Sequence, residues 1–136
     1  MMSQMSSFPY FVQVTSRPLH VVERQLLEQI LAIESPEILP QLEYLRVVGR
    51  CGCGKENCLI VFFETHFKDK PYDFMESYIG LDDAGGLVGV CPMLTDGRLA
   101  QLDFYSVDGH EPYNYPMLTS LKLERLTNGL TPKDFT

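Results

Sequence analysis

Leu87-Val88-Gly89-Val90-Cys91-Pro92-Met93-Leu94-Thr95-Asp96-Gly97-Arg98-Leu99-Ala100-Gln101-Leu102-Asp103-Phe104-Tyr105 is the stretch whose reading decides the fold. Two apolar runs, 87–94 and 99–105, flank Asp96-Gly97, a pair suited to the two left-handed positions of a type I′ turn. The stretch therefore reads as an antiparallel hairpin. With a two-residue loop, Cys91 is expected opposite Leu102, on the face of Ala100 and Phe104. Asp103 is expected with Leu99, Gln101 and Tyr105, on a partly solvated face.

Upstream, Cys51-Gly52-Cys53-Gly54-Lys55-Glu56-Asn57-Cys58 separates an apolar run over 42–49 from another over 58–65. The second run has apolar residues on both faces, as a central strand does. The pair reads as a second hairpin with the octet as its loop. Residues 78–82 read as a strand, Asp83-Ala84-Gly85-Gly86 as a turn, and 121–126 as an edge strand. Residues 10–14 form a short leading strand.

Leu19, Val22, Leu26, Ile30 and Ile33 recur at steps of three and four, and Leu27 and Leu31 widen the stripe. They predict an amphipathic helix, starting at Ser16-Arg17-Pro18 with Ser16 as N-cap. Glu23 falls off the stripe. A short turn opens at Ser35-Pro36-Glu37 and is limited by Pro40. The expected class is α+β: one main N-terminal amphipathic helix packed on a largely antiparallel sheet built from hairpins. The 136 residues make one domain, with 1–8 and 128–136 read as flexible tails.

Apolar residues are 45% of the chain, charged residues 21%, and the net charge is −7. This balance argues against nucleic acid, which calls for a basic patch, and against an anionic membrane surface. It suits a basic protein partner. No apolar run approaches membrane-helix length and the start of the chain has no signal-peptide pattern. A cytoplasmic setting is expected, where thiols stay reduced.

The four cysteines then read as free thiols or metal ligands. Cys51, Cys53 and Cys58 could hold zinc as soft thiolate donors, with the glycines allowing a tight fold around an ion. Their spacing is not the usual Cys-x2-Cys. The fourth ligand is the difficulty. His66 lies about 26 Å beyond Cys58 in an extended strand, and Cys91 reads as a buried thiol. A glycine-supported loop with reduced cysteines, a metal site and a redox site all remain open. Lys55 would lower a neighbouring thiol pKa and Glu56 would oppose it.

Asp82, Asp83 and Asp108 read as turn residues. His110, Tyr113 and Tyr115 lie in a loop rich in aromatics and prolines; its tyrosines either meet a partner or cap the core. Gly85-Gly86 lacks the strand-then-helix setting of a nucleotide loop. No catalytic set is assembled, since His20 and His110 have no sequence link to the octet.

The Cys51-Gly52-Cys53 stretch, followed by Asp96-Gly97-Arg98-Leu99-Ala100-Gln101-Leu102-Asp103-Phe104-Tyr105-Ser106-Val107-Asp108-Gly109, resembles a group of small bacterial proteins with a domain of unknown function. These carry a similar Cys-Gly-Cys stretch and an Asp-Gly-x-Leu-x-x-Leu-x-x-Tyr-Ser-x-Asp-Gly stretch. The resemblance implies no activity and no catalytic residue. In size and charge the chain is similar to immunity partners of bacterial toxins, which implies a protein partner. The favoured expectation is thus an acidic interaction protein without catalysis. The alternative is a thiolate metal-binding or redox protein. A homodimer through the edge at 121–126 is a further option.

Overall fold

A computed structural model describes residues 11–54, 58–64 and 73–135. Along the chain lie β1 (Phe11–Pro18), α1 (Val21–Glu34), a 3-10 turn (Pro36–Glu43), β2 (Arg46–Cys51), β3 (Val61–Phe63), β4 (Asp73–Phe74), β5 (Tyr78–Leu81), β6 (Leu87–Thr95), β7 (Arg98–Ser106) and β8 (Lys122–Leu123). They form one sheet in the order β1-β2-β3-β7-β6-β5-β8, with β4 also on β6. The recorded pairings are antiparallel. The fold is α+β, as expected. No helix among the described residues is long and apolar enough to cross a membrane.

The core lies between α1 and the sheet. Leu26, Leu27, Ile30 and Leu31 from the helix join Val47, Phe63, Val88, Val90, Leu102 and Phe104 from the strands. Tyr78 reaches across, its hydroxyl donating to Glu34. β3 is central and buried throughout. Pairing on the outer side of β6 breaks between Phe74 and Tyr78, around Pro92, which has no N–H to donate.

The β6–β7 turn is as predicted: Asp96 and Gly97 both have positive φ, 51° and 77°. The register is not. Thr95 pairs with Arg98 and Leu94 with Leu99, but Met93 pairs with Gln101, which leaves Ala100 as a bulge. One extra residue exchanges the faces beyond it. Cys91 therefore lies opposite Asp103, not Leu102. Leu99 joins Leu102 in the helix-side core rather than the face of Gln101.

Four other expectations change. Ser16-Arg17-Pro18 belongs to β1, not to the helix, because Arg17 and Pro18 pair with Val47 and Arg46, and Arg46 Nε donates to Ser16 Oγ at 2.7 Å. The helix is capped by His20 instead, whose N–H donates to Glu23 Oε1 at 2.7 Å. Glu23, assigned to the solvent side, is fully buried. It is held by both terminal nitrogens of Arg17, at 2.9 and 3.0 Å, a planar pairing that offsets the cost of burying its charge. The end of the chain is not all tail: Pro132–Phe135 forms a 3-10 turn that buries Phe135 with Ile79, Leu81 and Leu87. The edge expected over 121–126 is only Lys122–Leu123, followed by a 3-10 turn at Glu124–Leu126. Residues 1–8 lie outside the described residues.

Candidate functional site

The β2–β3 hairpin brings three cysteines together. Cys51 ends β2, and its N–H donates to the Ile60 carbonyl at 3.3 Å, so the returning chain passes beside it. Cys58 lies two residues before Ile60. Cys53 enters the loop just ahead of Gly54, whose φ of 90° is one that a side chain would oppose. The Sγ atoms of Cys51, Cys53 and Cys58 all lie within 4.8 Å of one another. Thiolates bound tetrahedrally at zinc stand about 3.8 Å apart, so a small contraction would let all three reach one ion.

Cys51 is buried and the other two are partly buried. Burial first, and then hydrogen bonding with the Cys53 and Cys58 thiols, pushes Cys51 up to about 12. Burial also raises Cys58. Without a cation Cys51 and Cys58 thus hold their protons more tightly than ordinary thiols, which is poor for a nucleophile. A bound cation reverses this, because it stabilises the thiolates that the site otherwise disfavours. Among the described residues no further His, Cys, Asp or Glu joins the set.

Cys91 stands apart from the cluster. It is buried and its thiol donates to the Met75 carbonyl at 3.3 Å, the buried thiol that was expected. Its cross-strand neighbour Asp103 is raised to about 6 by burial. Gln101, on the same face, is fully buried, and neither amide atom has a hydrogen-bond partner among the described residues. His66, Lys55 and Glu56 lie outside the described residues. His20 is occupied at the helix start.

A second cluster was not foreseen. Asp82, 2% exposed, accepts the N–H groups of Ala84 and Gly86 on Oδ1, at 3.0 and 2.9 Å. Its Oδ2 faces His110 Nε2 at 2.9 Å and accepts the Asn114 N–H at 3.1 Å. His110 Nδ1 bonds to Asp108 Oδ1. The bond to Asp82, and then that to Asp108, raises the pKa of His110. Burial pushes Asp82 up, but His110 and the backbone N–H groups outweigh it and leave the carboxyl below its ordinary value. Asp108 is lowered by the same balance.

Ser106 Oγ lies 3.2 Å from His110 Nδ1, so serine, histidine and buried aspartate follow in the order of a hydrolytic triad. Their chemistry differs. Both ring nitrogens face carboxylate oxygens, so the imidazole has no free nitrogen aimed at the serine proton. This cluster is a clamp. Only its turn residues were legible, because Asp82 and His110 are 28 positions apart.

Of the residues read as partner contacts, His110 is in the clamp, and Tyr113 and Tyr115 pack partly buried against the core. Tyr113 Oη donates to the Phe104 carbonyl at 3.3 Å, and Tyr115 meets the Phe104 ring edge-on at 5.4 Å.

No protein-family model, no curated protein and no solved structure matches this chain.

Proposed function

We propose that this protein holds a thiophilic metal ion, zinc foremost, on Cys51, Cys53 and Cys58. The mutual approach of three Sγ atoms within 4.8 Å carries the reading. Three thiolates favour zinc or copper(I) over the hard cations. The fourth position of a zinc ion would fall to a further donor such as water. The raised thiols give the ion a further part: it removes protons from a site whose burial resists their loss otherwise.

Elemental mass spectrometry on untagged protein purified without chelator, with a thiol count on the same sample, tests this. About one zinc per chain with protected thiols is the expected result. Replacing Cys51, Cys53 and Cys58 with serine should remove both. Metal-free protein that takes up no zinc, with freely reacting thiols, would reduce the octet to a glycine-rich loop.

The acidic interaction protein is the second reading, favoured by the net charge of −7, which suits a basic partner. It ranks lower because Tyr113 and Tyr115 spend much of their surface on the core.

A further inference from the structure

One carboxylate oxygen, Asp82 Oδ2, is bonded on both sides of Tyr113: His110 Nε2 precedes the tyrosine and the Asn114 N–H follows it. The loop is thus tied down at two points three residues to one residue away from the ring. The His110 ring meets that of Tyr113 edge-on, with centroids 6.3 Å apart. The phenol end is anchored as well, on the Phe104 carbonyl.

That anchor sets the phenol on β7, the strand that pairs with β3 of the cysteine hairpin. In the β3–β7 pairing Val61 lies opposite Leu102. The strands are antiparallel, so the chain leading into Val61 comes from the Asp103–Phe104 end of β7. Tyr113, Cys53 and Cys58 pack against one core cluster. Burial first holds the proton of Tyr113 more tightly, and Cys58, Asp103, Cys53 and Cys51 add to it.

We propose that Tyr113 is a lid over the thiolate cluster, and that the Asp82–His110–Asp108 clamp keeps it shut. The inference rests on reading the cluster as a functional thiolate site. It adds regulated access: a reagent or an ion reaches the sulfurs when the loop lifts, a local opening that costs far less than global unfolding. The tyrosine adds no charge to the site, and its ring excludes water from the sulfurs.

The test is the rate at which metal-free protein reacts with an aromatic disulfide reagent, alongside the rate at which zinc-loaded protein gives its metal to a chelator. Tyr113→Ala and His110→Gln should each speed the thiol reaction by roughly tenfold or more. Tyr44→Ala, at a side chain 83% exposed, should match the parent. Folded Tyr113→Ala reacting at the parent rate would overturn the lid. If Tyr113→Ala does not fold, His110→Gln decides, because it keeps the ring and its anchor. Zinc retention with unchanged thiol rates in the variants sinks the lid and spares the metal reading. Faster thiols in a protein that binds no zinc does the reverse.

Discussion

His110 Nε2 stands 2.9 Å from Asp82 Oδ2, and a side chain on Gly86 would collide with the same imidazole. The turn after β5 and the loop after β7 are therefore built around one ring. Its two nitrogens face two carboxylates, so the join depends on the proton that His110 carries.

The sign of the pH dependence follows. His110 is raised from 6.5, so its contribution is whole below that value and is lost as pH rises through the folded value. Asp82 and Asp108 are lowered from 3.8, so they contribute above that value and lose it as pH falls through their folded values. Thermal unfolding followed against pH should show greatest stability from the clamp on the mildly acidic side. His110→Gln should cost about 2 kcal/mol there and flatten the alkaline fall.

Gly86→Ala should cost about 2 kcal/mol by displacing His110. In the His110→Gln background the same change should cost much less, because the two share one contact. A double-mutant cycle by urea unfolding reads the coupling; additive costs would separate Gly86 from the clamp.

Asp103 behaves in the opposite way to Asp82 and Asp108. Burial raises it from 3.8 to about 6, so the folded chain binds its proton more tightly and stability falls as pH climbs through this window. Asp103→Asn should stabilise the protein by about 2 kcal/mol near pH 8, and the gain should vanish near pH 4. Chemical denaturation at the two pH values checks it.

Gln101 hides two amide atoms without partners among the described residues, between cross-strand neighbours Phe62 and Met93. Gln101→Met keeps the volume and removes the unpaired groups, so it should raise stability by about 1 kcal/mol. The denaturation midpoint measures the gain.

Zinc should bind more tightly as pH rises, because each thiol that must ionise adds about one to the slope of log affinity against pH. With Cys51 pushed to about 12, the slope should persist well above neutrality. At zinc concentrations of about 100 times Kd the ion should add about 3 kcal/mol of stability. Cys51→Ser should lower both the slope and the gain.

Much of the fold was legible because the deciding forces are local. Leu26, Ile30 and their neighbours mark a helix by spacing, and Asp96-Gly97 marks a turn by the φ values those residues tolerate. β2 and β3 pair as a hairpin because apolar runs flank the octet. The candidate site was half legible: three cysteines within eight positions raised the question of metal, but not whether their sulfurs converge. Glu23 was misplaced because periodicity counts its position and not the guanidinium of Arg17 that covers it.

The sequence by itself determined the α+β class, the helix, both hairpins and the residues able to act as thiolate ligands, since each depends on neighbours a few positions apart. Only the tertiary structure decided the bulge at Ala100, the face of Cys91, the meeting of the three sulfurs and the closure of His110 on Asp82. These depend on register and on contacts between distant segments, where one extra residue turns a side chain from one face of a sheet to the other.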